Sequence, residues 1–136
     1  MYGNYQHQVS QYKRQEIQTA SPGKLIVMLY DGAIKSVEQA TEACHQGNYE
    51  QKEKALSKAQ DIVLELLGAL DIERGGDIAR NLQGLYIYII KRINAGHLTK
   101  DLQALEEARR ILTDLREAWE EIRRTQEPVR QFSQTG

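Results

Sequence analysis

The clearest chemical spacing in this chain is that of Glu42 and His45, which form a single Glu-x-x-His motif. Helix bundles hold paired iron or manganese ions with this motif, but such a site needs it twice, together with two further glutamates. This chain has it once, near the predicted end of a helix, where the helix dipole favours a histidine. The sequence therefore predicts no metal site.

Two other features were weighed as catalytic or ligand-binding groups. Cys44 lies on a predicted core face, which favours a small buried residue over a nucleophile. Gly75-Gly76 could hold an anion through backbone N–H groups, but the Lys and Ser/Thr of a phosphate loop are absent, so a helix-to-helix turn is favoured. We therefore expect no catalytic residue, no bound cofactor and no enzyme activity.

Composition limits the classes of partner. The chain has 136 residues, with 18 basic and 19 acidic side chains, so one domain with no general attraction to nucleic acid is expected. No apolar run reaches the roughly 18 residues of a membrane span, and no secretion signal opens the sequence. The single cysteine cannot form an internal disulfide. We expect a cytoplasmic protein without membrane insertion.

Between Pro22 and Pro128, segments whose apolar residues recur with the period of an α-helix alternate with short breaks that contain Gly or Asn. The second helix should stop before residues 74–76, and the fourth should run to about Arg124. Helix starts are predicted at Ser21 followed by Pro22, at Asn48, near Asp77 and at Thr99. Four helices of about 22 to 25 residues with short loops predict an all-α, elongated, antiparallel up-and-down four-helix bundle.

Each helix carries one apolar face, and these faces are the predicted core. The bundle is assigned to residues 21–124, between a short helical or extended N-terminal arm at 1–20 and a disordered tail at 125–136. The core positions, in chain order, are Ile26, Tyr30, Ala33, Val37, Ala40, Cys44, Ala55, Ala59, Ile62, Val63, Leu66, Leu70, Ile78, Leu82, Leu85, Tyr86, Ile89, Ile93, Leu105, Ala108, Leu112, Leu115, Trp119 and Ile122.

Further apolar residues lie away from the core faces. Met28 is about 160° from the core of the first helix, and Leu64 and Ile87 are each about 140° from theirs. Ile34, Leu67 and Ile90 stand on the shoulders of the same helices, and Tyr88 is also off the core. Single exposed apolar residues are ordinary, but three helices with them together favour a groove for an amphipathic partner segment.

Several short motifs, in order and at fixed spacing, carry a family resemblance over residues 2–122. They are Thr19-Ala20-Ser21-Pro22 with Leu25 and Met28-Leu29-Tyr30-Asp31-Gly32; Lys58-Ala59-Gln60-Asp61-Ile62; Leu70-Asp71 before Gly75-Gly76-Asp77-Ile78-Ala79-Arg80-Asn81-Leu82; Leu85-Tyr86 with Tyr88 and Arg92; and Leu115-Arg116 with Ala118-Trp119. With these the chain resembles the flagellin export chaperone family, FliS. It departs from the family at Ile87, where an aspartate is usual, and at Gly96, where an asparagine is frequent.

The resemblance implies a cytoplasmic chaperone that binds the C-terminal segment of new flagellin, prevents premature polymerisation and delivers it to the flagellar type III export gate. It also suggests that the N-terminal arm covers part of the client groove in the free protein, although the arm could instead fold over the bound client. An all-α metal-binding bundle and a self-associating adaptor are the alternatives. The predicted client-binding residues are Tyr5, Tyr12, Ile17, Leu25, Met28, Ile34, Leu64, Leu67, Ile87, Tyr88 and Ile90.

Overall fold

The computed structural model describes the backbone of residues 22–135 and the side chains of residues 23–125. That part of the chain consists of four helices: α1 (Pro22–His45), α2 (Tyr49–Gly68), α3 (Ile72–Thr99) and α4 (Leu102–Thr135). None of them is long and apolar enough to cross a membrane. Helix α1 begins at Pro22 as predicted, while its predicted cap Ser21 and the arm residues Tyr5, Tyr12 and Ile17 lie outside the described residues.

The helices form a closed ring in which each packs on its neighbours in sequence and α1 also packs on α4. Side-chain contacts show the antiparallel order. Gly23 at the start of α1 lies beside Arg123 of α4, whereas Asp31 further along α1 accepts from the earlier Arg116 at 2.8 Å. His97 at the end of α3 contacts Glu53 at the start of α2. The predicted all-α, up-and-down four-helix bundle is confirmed.

The starts of α2 and α3 are set by side-chain caps. Asn48 accepts from the Gln51 N–H at 3.1 Å, which confirms the predicted cap. Asp71 caps α3 in the same way, accepting from the Arg74 N–H at 3.1 Å. The expected loop at residues 74–76 is therefore wrong, because this cap starts the helix earlier. The helical dihedral angles are interrupted only at Gly76, and the helix resumes at the predicted Asp77.

Gly76 has φ 56° and ψ −130°, a backbone conformation open almost only to glycine. We expect Gly76→Ala to lower the free energy of unfolding by about 1–3 kcal/mol, because a Cβ is strained there. Gly84→Ala is the matched control on α3, since its Cβ would meet nothing within 4 Å. It should raise stability by about 0.5–1 kcal/mol through helix propensity. Urea unfolding measures both, and equal effects would contradict the strain at Gly76.

Both ends of α4 differ from the sequence prediction. Thr99 does not cap it; its hydroxyl donates to the Ala95 carbonyl at 2.8 Å and closes α3. Asp101 takes the capping role, accepting from the Ala104 N–H at 3.0 Å, because Lys100 adopts a left-handed conformation that ends α3 first. The helix also continues past Arg124 to Thr135, although Pro128 lacks a backbone N–H. The role of residues 125–136 as a separate tail stays a prediction.

Most predicted core positions are confirmed as buried, with Tyr30, Ile89 and Leu112 among them. Cys44 is a correction. It is half-buried and Ala43 is buried in its place, because the last turn of α1 is followed at once by the turn into α2. Three further predicted core residues are exposed: Ile78, Leu85 and Ile122.

The bundle end that holds the α3–α4 connection is closed by polar contacts. Lys52 is buried, and its ammonium donates to the Gly96 carbonyl at 3.3 Å and the His97 carbonyl at 3.4 Å. It also pairs with Glu53 at 3.0 Å. A cation at the last carbonyls of a helix satisfies groups that have no partner within the helix. This end is therefore fixed by the charge on Lys52.

Candidate functional site

An apolar groove of about 340 Å³ opens at the other end of the bundle, where α1 and α3 begin and α2 ends. Helix α4 completes it with Trp119. All four helices therefore contribute to one site. The lining residues are Ile26, Leu66, Ala69, Leu70, Asp71, Arg74, Gly75, Ile78, Ala79, Leu82, Tyr86 and Trp119.

The groove exists because the core is not filled at this end. Ile78, although on the core face of α3, is 73% exposed, and Leu82 one turn later is only half-buried. Ile89 and Ile93 on the same face near the middle of the bundle are completely buried. Leu85 and Ile122 are also exposed, but they do not line the groove. Ile78 and Leu82, predicted as core, are therefore lining residues of an open site.

Polar groups are confined to the rim of this groove. Asp71 and Arg74 both line it, with the Arg74 Nε 3.7 Å from the Asp71 carboxylate. The Arg74 side chain is 91% exposed, so this pair contributes little to stability. It does place one carboxylate and one guanidinium beside an apolar floor. Such a rim can orient an amphipathic segment whose apolar face fills the groove.

One buried polar contact lies below the groove, in the core. Tyr30 of α1 and Tyr86 of α3 meet across the diagonal of the bundle, with their hydroxyl oxygens 2.5 Å apart. Both side chains are buried, and Tyr86 also lines the groove. Burial raises the pKa of both phenols above the ordinary value. Both hydroxyls therefore remain protonated in neutral solution.

None of the predicted client-binding residues that the structure describes lines this groove. On α1, Leu25, Met28 and Ile34 are half-buried, and Ile34 packs against the core. Tyr5, Tyr12 and Ile17 lie outside the described residues. The assignment of all these residues to client binding stays a prediction.

The predicted residues on α2 and α3 form a second, smaller apolar surface. Leu64 is 44% and Ile87 is 41% exposed, as expected for off-core positions, while Leu67 and Ile90 pack partly against the core. The contact between Glu53 and His97 shows which residues of α2 and α3 lie at the same level along the bundle axis. Leu64 lies about three turns after Glu53 on α2, and Ile87 lies about three turns before His97 on the antiparallel α3, so the two residues stand at similar heights along the bundle.

Tyr88 is separate from that surface. Its hydroxyl donates to the Glu107 carboxylate of α4, which also forms an ion pair with Arg92 at 3.1 Å. The hydrogen bond and the charge of Glu107 raise the pKa of Tyr88. Tyr88 thus faces α4, so the structure does not combine it with Ile87 in one apolar patch.

Glu42 and His45, the two residues of the Glu-x-x-His motif, are exposed near the end of α1. The Glu42 carboxylate accepts from the Gln46 side-chain amide at 3.1 Å, and His45 is exposed in the last turn of α1. Within the described part of the chain, no three His, Cys, Asp or Glu side chains cluster as metal ligands would. The arrangement suits binding of an apolar segment.

Three features of this site were not predicted from the sequence. Asp71 and Arg74 were not singled out as rim residues, and Tyr30 was not paired with Tyr86. The signal for the pair was present, because a tyrosine on a core face carries a hydroxyl that must find a partner. Two such tyrosines on different core faces could have been matched to each other.

The chain is similar in sequence to a family of known proteins. The family model described as "Flagellar protein FliS" matches residues 5–126. The flagellar secretion chaperone FliS of Salmonella typhimurium is 44% identical over 107 residues, covering 78% of this chain and 79% of that protein. Its counterpart in Vibrio cholerae is 37% identical over 107 residues, 79% of each chain. The Bacillus subtilis protein is 31% identical over 116 residues, 85% of this chain and 86% of its own. The chain therefore belongs to the FliS family of flagellar proteins.

Proposed function

We propose that this protein is a flagellar export chaperone that binds the C-terminal segment of flagellin in the groove at the open end of the bundle. The observation that carries the proposal is the exposure of core-type residues there, above all Ile78 and Leu82. An apolar cleft with a polar rim fits an amphipathic segment. Family membership supports the flagellar role, since its curated relatives are named flagellar secretion chaperones.

The mechanism is sequestration, not catalysis. A flagellin segment that would otherwise drive polymerisation is covered while it is bound, and its apolar groups leave water together with Ile78, Leu82 and Trp119. Burying one large apolar side chain contributes about 1.5–3 kcal/mol, so a few anchors provide micromolar affinity after the ordering cost. The complex would then act in the cytoplasm and present the client to the flagellar export gate.

The test is titration calorimetry of the full chain with a flagellin C-terminal peptide. We expect one peptide per chaperone and a negative heat-capacity change, because apolar burial is coupled to ordering of the peptide. A peptide of the same composition in scrambled order is the control and should give no binding heat. Absence of binding by the native peptide at micromolar concentrations would contradict the proposed function.

The surface around Leu64 and Ile87 is a proposed second contact for the same client. A segment that leaves the groove past Leu66 and Leu70 would reach the α2–α3 seam, where Leu67 and Ile90 are half-buried. This contact would add affinity without entering the groove. Truncating the peptide from either end, with calorimetry on each length, separates the two contributions.

The arm, residues 1–20, is the proposed cover of the groove in the free protein. The start of helix α1 at Pro22, at the same end as the groove, supports this proposal. If the cover contributes about 1.4 kcal/mol, deleting residues 2–17 should tighten client binding about tenfold, because the open state no longer competes with a closed one. Calorimetry measures the change. Weaker binding after the deletion would show that the arm clasps the client instead.

A further inference from the structure

The two tyrosines below the groove carry two hydroxyl hydrogens, but the hydrogen bond between them uses only one. Tyr30 and Tyr86 share a single hydrogen bond at 2.5 Å, with ring centroids 6.4 Å apart. Each phenol carries one hydrogen and can also accept. When one donates to the other, the hydrogen of the acceptor still needs a partner. Its position depends on which tyrosine donates.

The surroundings of the two residues decide the direction. Tyr30 is completely buried within the core, whereas Tyr86 borders the groove. A spare hydrogen on Tyr30 would be a buried donor without an acceptor, which is costly. Tyr30 is therefore the donor and Tyr86 the acceptor, so the spare hydrogen belongs to Tyr86.

This hydrogen lies on the side of the open end. Side chains on a helix lean toward the helix N-terminus, and both α1 and α3 begin at the groove. Both phenols are therefore directed toward the groove from below. In the described part of the chain, the Tyr86 hydroxyl has Tyr30 as its only hydrogen-bond partner. Tyr86 lines the groove and is 2% exposed, so a further partner for this hydroxyl has to reach it from the groove.

We propose that the Tyr86 hydroxyl donates a hydrogen bond to an amide carbonyl of the bound client, so that the groove selects a segment with an acceptor at one position among apolar residues. The inference rests on the proposed function, because it concerns the client in that groove. A bound segment expels water from the groove, and a client without an acceptor would leave the Tyr86 hydrogen unpaired. Apolar contacts would set the affinity, and this donor would set the register of the segment.

The test compares Tyr30→Phe, Tyr86→Phe and the double variant Tyr30→Phe/Tyr86→Phe with the wild-type full chain. Calorimetry with the flagellin C-terminal peptide measures binding, and urea unfolding measures stability. Tyr86→Phe and the double variant should each bind about three- to tenfold more weakly, the effect of one lost hydrogen bond. Tyr30→Phe keeps the Tyr86 hydrogen and should bind within about twofold of wild type.

Stability provides the internal control. Tyr86→Phe leaves the Tyr30 hydrogen unpaired, whereas the double variant removes both hydroxyls, so it should lose less stability than the two single losses together. Wild-type affinity in the double variant would overturn the inference, and so would equal affinity losses in Tyr30→Phe and Tyr86→Phe. If the wild-type chain fails to bind the peptide, the proposed function itself is contradicted.

A second series of experiments shows whether the accepting carbonyl belongs to an Asn or Gln side chain of the peptide or to its backbone. Each Asn and Gln of the peptide is replaced by Ala and titrated against wild type and the double variant. A replacement that weakens binding to wild type alone assigns the acceptor to that side chain. If every replacement acts equally on both proteins while the double variant still binds more weakly, a backbone carbonyl outside a helix is the acceptor.

Discussion

Ile78→Asp is expected to weaken binding of the flagellin C-terminal peptide more than tenfold while leaving the melting temperature nearly unchanged. Ile78 is 73% exposed in the groove, so the free protein loses little burial when it is replaced. In the complex, the aspartate would be desolvated against an apolar segment, and the burial of the isoleucine would be lost. The lost burial alone is worth about 1.5–3 kcal/mol, and every 1.4 kcal/mol is about a factor of ten.

The matched control is Leu98→Asp. Leu98 is 83% exposed near the end of α3, away from the groove. The same loss of an exposed apolar side chain should leave peptide binding within about twofold of wild type, as expected of a surface change away from the site. If Ile78→Asp binds normally and Ile87→Asp does not, the α2–α3 seam is the client site and the groove is not.

Gly96→Ala is expected to lower the free energy of unfolding by about 1–3 kcal/mol, the usual cost of overpacking a filled core. Gly96 is buried in α3 where it crosses α4, and a Cβ there would lie 2.9 Å from the Leu105 Cγ. Leu105 is completely buried, so it has no free space to enter. The Lys52 ammonium binds the Gly96 carbonyl and limits movement of the backbone.

A double-mutant cycle separates this steric effect from other causes. Leu105→Ala alone should cost about 2–5 kcal/mol because it leaves a cavity. In Gly96→Ala/Leu105→Ala the new methyl group occupies part of that cavity, so the total loss should be smaller than the sum of the two. Urea unfolding at one temperature provides all four values. Additive losses would contradict direct contact between the two positions.

The middle of the bundle was predictable because a helical wheel is sufficient there. Residues such as Ile89 and Leu112 lie on apolar helix faces that have neighbouring helices on both sides. A side chain that points toward the core there is therefore also buried. The off-core positions Leu64 and Ile87 were identified on the same grounds. The cap Asn48 was recognised because its side chain precedes a helix-period segment after a glycine.

The groove was not predictable in this way. A helical wheel gives the direction of Ile78 or Leu82 but not the distance to the helix opposite, and at the open end that distance is too large to bury them completely. Sequence reasoning therefore assigned the lining residues to the core and searched for the client site on the outer faces. The caps Asp71 and Asp101 were missed for a related reason, because neighbouring polar residues offered competing helix starts.

The chain contains a single tryptophan, and it stands in the groove. Trp119 is half-buried there. Selective excitation of the indole therefore reports on this site alone, without a background from other tryptophans. A segment that enters the groove replaces water around the ring, so the emission should move to shorter wavelength. The chaperone thus carries its own optical sensor of occupancy, and its loading can be followed in real time without a label.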